Sequence, residues 1–201
     1  MADINNTIAT TTEVVITGFG GQGIILAGRI IGKAAALRDG KESTLVQSYG
    51  PESRGGACSA QVVISDKTIH YPYIRRPDVL VCMSQSGYEK YIDDIKDSTL
   101  LLIDEDLVHP GNIKIDFFAI PATRMAEEIG RKMMANIIMT GFFTAISQKI
   151  SLAAAKDTVA ESVPKGTEAL NIKAFSKGYD FGLALLKGRE KKAAGKIGAI
   201  A

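Results

Sequence analysis

The residues best placed to do chemistry are two glycine-rich runs and one asparagine. The first run is Gly18-Phe-Gly20-Gly21-Gln22-Gly23. Glycines there permit positive φ and let a ligand or another backbone come close. A β-rich apolar run precedes it and a helix-like run follows. The N–H groups that open that helix, around residues 23–26, therefore face whatever occupies the turn, and the helix dipole favours an anion. The second run is Gln47-Ser-Tyr49-Gly50-Pro51-Glu52-Ser53-Arg54-Gly55-Gly56. Gly50-Pro51 reads as a rigid turn, Gly55-Gly56 allows close approach to another surface, and Arg54 suits a bidentate contact to phosphate or carboxylate. Asn136 stands in the apolar stretch Met133-Met-Ala-Asn136-Ile-Ile-Met. If buried, it must find hydrogen-bond partners, in a backbone that it clamps or in a neighbouring subunit.

Three readings of the first run stay open: a dinucleotide-binding turn, a tight turn packed on a partner, or an anion or cofactor edge at a subunit interface. The dinucleotide reading requires an acid at the end of the second strand. That strand ends Val46-Gln47-Ser48-Tyr49, and Glu42 lies at its other end. The second run also admits a plain surface turn carrying a Glu52–Arg54 pair, a contact of only about 0–1 kcal/mol. No Ser–His–Asp order, HExxH or Walker sequence accompanies His70 and His109. No catalytic group stands alone. The two cysteines, Cys58 and Cys82, are too few for an iron–sulfur cluster held by this chain, which wants about four thiolates.

These groups need elements to hold them. Residues 13–17 read as a buried strand and 24–37 as a helix, with Asp39-Gly40 ending it. Residues 43–47 read as a strand whose end lies beside the first glycine run in a parallel pair. Residues 57–65 alternate, with Cys58, Ala60, Val62 and Ile64 on one face. A turn at 65–67 would return residues 68–73 antiparallel. Strands follow at 79–83, 100–103 and 115–120, with a short helix at 88–95. Thr123 caps a helix running to about residue 149, with Glu127 and Glu128 in its first turn. Helices at 152–161 and 164–186 complete the chain. The order predicts an α/β fold: a three-layer α/β/α-type domain with a mixed sheet and a Rossmann-like strand–glycine loop–helix start.

The chain has 201 residues, enough for one ordinary domain with a real core. We expect a flexible N-terminus over 1–12, one domain over 13–187 and a basic, solvated tail over 188–201. Twenty-four basic against 22 acidic residues give a net charge of +2, which argues against a dedicated nucleic-acid binder. No apolar run reaches the roughly 20 residues of a membrane span, and the polar, Thr-rich start does not look like a signal peptide. The expected location is the cytoplasm, with no nucleic-acid and no membrane partner.

The two glycine runs in this order, with Pro77-Asp78-Val-Leu-Val81 and Ala135-Asn136 further on, resemble the gamma subunit of 2-oxoacid:ferredoxin oxidoreductases. The similarity spans about residues 11–184 and is nearest the 2-oxoglutarate branch. The resemblance implies a multisubunit enzyme that decarboxylates a 2-oxoacid oxidatively with coenzyme A and passes electrons to ferredoxin. It implies alpha, beta and delta partner chains, with thiamine diphosphate between alpha and beta and iron–sulfur clusters on beta and delta. It assigns this chain no catalytic residue and no metal. Its implied role is to flank the active site and help bind coenzyme A through the two glycine runs, with Arg54 for a phosphate. A purely structural assembly subunit and a free-standing nucleotide-binding oxidoreductase stay open beside it.

Overall fold

The computed structural model describes residues 10–49 and 57–197. The elements are β1 (Thr11–Phe19), α1 (Ile24–Leu37), β2 (Glu42–Ser48), β3 (Ala57–Ser65), β4 (Val79–Cys82), α2 (Gln85–Tyr91), β5 (Leu100–Asp104), β6 (Phe117–Ile120), α3 (Ala122–Glu128), α4 (Ala135–Ser147), α5 (Leu152–Ser162) and α6 (Glu168–Ile197). One six-stranded sheet has the order β2-β3-β1-β4-β5-β6. β1, β4, β5 and β6 run parallel, and β3 is antiparallel to both β1 and β2. The expected mixed α/β sheet with helical layers is present.

Burial on both faces explains why β1, β4 and β5 read as continuous apolar runs. Alternate residues serve two cores. Val14, Ile16, Val62, Val81 and Leu102 face α1, α4, α5 and α6, with Phe142, Phe143 and Phe175 at the centre. Val15, Val63, Leu80, Leu101 and Ile103 face the other way, against Tyr88 of α2 and the loop residues Ile74 and Val108.

Several expectations need correction. β2 does not pair with β1, because β3 lies between them. Since β1 and β2 already occupy both sides of β3, residues 68–73 form no strand. That segment instead crosses the second face, where the Ile74 N–H donates to Gln61 Oε1 at 3.0 Å. Thr11 and Thr12 belong to β1, opposite Ser65 and Ile64, and not to a flexible arm. The long helix from Thr123 is broken into α3, a 3₁₀ turn at Lys132–Met134, and α4. Gly130 breaks it, at φ 84°, a conformation at home in a turn and not in a helix. Glu127 and Glu128 consequently end α3, and its N-cap is Pro121. Thr123 instead donates through its N–H and hydroxyl, at 3.1 and 2.6 Å, to the buried Asp104 at the end of β5. The helix assigned to residues 88–95 begins at Gln85, because Ser84 caps it by accepting the Gly87 N–H at 3.1 Å. The last helix starts at Glu168, later than Pro164, and runs on to Ile197, so the basic tail is helical where it is described, with Lys187, Lys191 and Lys192 exposed to solvent as expected. Arg189 on it donates to the Phe117 carbonyl at 2.5 Å and lies 3.7 Å from the centre of the Phe118 ring.

Candidate functional site

The register brings the first glycine run and the strand ends that flank the second to one end of the sheet. Ser59 of β3 faces Thr17 of β1 on one side and Ser48 of β2 on the other. The end of β1, the end of β2 and the start of β3 therefore share an edge. The parallel pair expected to bring the runs together is absent, since β3 lies antiparallel between β1 and β2. Within the second run Gln47 and Tyr49 are exposed, and the Tyr49 hydroxyl donates to Gln47 Oε1 at 2.8 Å. Gly50, Pro51, Glu52, Ser53, Arg54, Gly55 and Gly56 lie outside the described residues.

The first run divides into structural and open positions. Gln22 folds back across the turn: its Oε1 accepts the Phe19 N–H at 2.6 Å and its Nε2 donates to the Met83 carbonyl at 2.8 Å. This ties the end of β1 to the end of β4. Gly18 is buried under that side chain, and a Cβ there would collide with Gln22 and Ile24. Gln22 and Gly18 thus serve the turn and leave no side-chain group free for a ligand. Gly20 and Gly21 are exposed. Gly21 has φ 98°, with open space where a Cβ would point.

Gly23 caps α1 in the left-handed conformation, at φ 75°. Asn136 is 2% exposed at the start of α4. Its Nδ2 donates to the Gly23 carbonyl at 3.1 Å, and its Oδ1 accepts the Ile137 N–H at 2.9 Å. A Cβ on Gly23 would strike Asn136. Asn136 is the backbone clamp that its sequence context allowed. It fixes the first turn of α1 to the first turn of α4.

Beside this clamp lies a cavity of about 220 Å³. Leu26, Met133, Met134 and Val163 give it apolar walls, Gly21 and Gly23 form an edge, and Arg131 stands at the rim. Arg131 is exposed and has no ion-pair partner among the described residues. Nothing in the sequence singles out Arg131; of the methionines in this stretch, Met134 and Met139 are buried in the core. Gly130 is only a weak signal, since an isolated glycine is tolerated inside a helix, as Gly141 is in α4. Met133 is 81% exposed at this opening.

The thiols are not poised for chemistry. Cys58 and Cys82 are both buried, and they serve opposite faces of the sheet. Burial raises the pKa of each. They do not fit an iron–sulfur cluster, and among the described residues no three His, Cys, Asp or Glu side chains are grouped to hold a metal. A dinucleotide fares no better. The parallel neighbour of β1 is β4, which leads into Cys82-Met83-Ser84 with no acid for a ribose.

Comparison with known proteins fits this geometry. The family model described as pyruvate ferredoxin/flavodoxin oxidoreductase matches residues 13–181. The 2-oxoglutarate synthase subunit KorC of Methanocaldococcus jannaschii is 51% identical over 172 residues, covering 84% of this chain and 92% of that one. KorC of Methanothermobacter marburgensis is 47% identical, over 84% of this chain and 95% of that one. The gamma subunit of a keto/oxoacid ferredoxin oxidoreductase from Geobacter sulfurreducens superposes with a TM-score of 0.77 at 37% identity, over 86% of this chain and 99% of that one. A 2-oxoglutarate:ferredoxin oxidoreductase from Magnetococcus marinus, solved with 2-oxoglutarate, coenzyme A and succinyl-CoA bound, superposes equally well, at 0.77 and 26% identity. There the match covers 87% of this chain but 31% of the longer one.

Proposed function

The chain belongs to the pyruvate ferredoxin/flavodoxin oxidoreductase family, and from that premise we propose that it works as the gamma subunit of a 2-oxoglutarate:ferredoxin oxidoreductase. The supporting observation is the near full-length match to KorC subunits, at 51% and 47% identity. The complex oxidises a 2-oxoacid and is inactive as this chain alone. Alpha, beta and delta chains complete it. They carry thiamine diphosphate and the iron–sulfur clusters and deliver electrons to ferredoxin, in the cytoplasm.

The role we assign to this chain is binding and positioning of coenzyme A at the glycine edge. Gly20 and Gly21 give a surface that a phosphate or amide can approach closely, and Arg131 offers a charge at the rim. The cavity walled by Leu26, Met133 and Met134 suits the methylene segments of the pantetheine arm of coenzyme A. Gly18, Gln22, Gly23 and Asn136 hold that edge in shape without touching the ligand. Arg54 and its neighbours, Gly50 to Gly56, complete the site in this proposal.

The test is anaerobic co-purification of a tagged chain, followed by coenzyme-A-dependent dye reduction with 2-oxoglutarate, pyruvate and branched-chain 2-oxoacids. Activity greatest with 2-oxoglutarate, in a fraction holding companion chains, is the expected result. Arg54→Ala and Arg131→Ala should each raise the KM for coenzyme A about tenfold and leave that for 2-oxoglutarate unchanged, the loss of one charged hydrogen bond. Unaltered coenzyme A kinetics in both variants would leave the chain a structural assembly subunit.

A further inference from the structure

The segment of residues 67–77 presents a built surface well away from the glycine edge in sequence. It crosses the sheet face shared with α2. Ile69 and Ile74 pack inward against Val63 and Leu80. Between and beyond these two anchors the segment shows Tyr71 and Tyr73, which are 61% and 56% exposed. Their rings pack on each other, with centroids 5.5 Å apart and planes at 58°. The same stretch carries Lys67, Arg75 and Arg76 and no acidic residue, so it holds three positive charges where the whole chain nets +2.

Those charges form no ion pair among the described residues. The carboxylates that flank the segment are engaged elsewhere: Asp66 with Lys41 at 3.5 Å and Asp78 with Lys96 at 2.8 Å. Arg76 is held in place by donating to the Ile95 carbonyl at 3.0 Å. An exposed tyrosine pair bordered by arginines is the composition of an interface centre, where aromatic and Arg side chains concentrate binding energy. The unpaired charge selects an acidic partner.

We propose that this face docks an acidic surface of a companion chain of the oxidoreductase complex. The proposal rests on the subunit reading above. In the longer Magnetococcus chain the same fold is 31% of one polypeptide, so a covalent tether joins it to the remainder. The KorC subunits are matched over 92% and 95% of their own length, and a separate subunit makes that contact through a surface. A single-stranded nucleic acid fits less well. The two rings contact each other and are not splayed to sandwich bases, and the chain lacks a broad basic footprint.

The test is hydroxyl-radical footprinting of Tyr71 and Tyr73, in the isolated chain and in the assembled complex purified through it. Protection of both tyrosines in the complex is the expected result. The Arg75→Glu, Arg76→Glu double variant, checked for an unchanged melting profile, should bind the companion chains about tenfold more weakly than wild type, as expected for reversed charge pairs. Equal labelling of the tyrosines in both states overturns the proposal, without need of any variant. So does binding of a fluorescent single-stranded oligonucleotide that the double variant abolishes while assembly is unaffected. Failure of the wild-type chain to co-purify with any companion would instead sink the subunit reading itself.

Discussion

At the scale of single residues the site is held by polar side chains that bind backbone. Asn136 is the sharpest case, because it satisfies a carbonyl of one helix start and an amide of another. Asn136→Ala should cost about 1–3 kcal/mol, the penalty for leaving the buried Ile137 N–H unpaired, while the Gly23 carbonyl keeps the Ala27 N–H. Urea unfolding would read it, and a loss under half of that would remove the clamp from the account. Asp104 behaves differently. Burial raises its carboxyl pKa above the ordinary value of 3.8, against the lowering effect of the Thr123 hydrogen bond. A carboxyl raised in the fold contributes stability that is complete below its ordinary pKa and lost as pH rises through the folded one. The stability advantage of wild type over Asp104→Asn therefore narrows with rising pH across that window. A gap that widens in urea titrations at successive pH values contradicts the assignment. The glycine runs were legible in the sequence, since glycine states its own backbone freedom. Gln22's bond to Met83 was not, because 61 residues separate the partners.

At the scale of elements α4 and α6 meet backbone to backbone at two glycines. A Cβ on Gly141 would collide with the Phe175 carbonyl, and one on Gly178 with the Ile138 carbonyl. Both obstacles are helix backbone, which cannot rotate aside as a side chain can. Gly141→Ala should destabilise by about 1–3 kcal/mol or more, despite the better helix propensity of alanine. A neutral or stabilising effect in a thermal melt would show that the helices slide apart at no cost. The strands and α1 could be read directly from apolar runs ending in glycine. The break between α3 and α4 could not, because Met125, Ile129, Met133 and Ile137 keep a helical spacing of four across it and conceal the turn at Gly130. The pairing of β2 was equally hidden. Strand order depends on contacts between distant residues, and alternation reports only which face is buried.

At the scale of the whole molecule the β6 margin of the sheet lies under α6. Arg189 caps the β6 margin by taking the Phe117 carbonyl and covering Phe118. Arg189→Ala should expose that strand, and light scattering on warming should detect association at a lower temperature than for wild type. Unchanged scattering would mean that α6 shields β6 without its arginine. The sheet order also bears on synthesis. β1 leaves the ribosome first, yet its neighbours are residues 57–65 and Val79–Cys82. At about 5–20 residues per second, the central strand waits several seconds before both flanks exist. During that interval Val14, Val15 and Ile16 have no sheet to join. Nascent chains arrested before residue 79 should accordingly recruit chaperones that those arrested beyond residue 104 release.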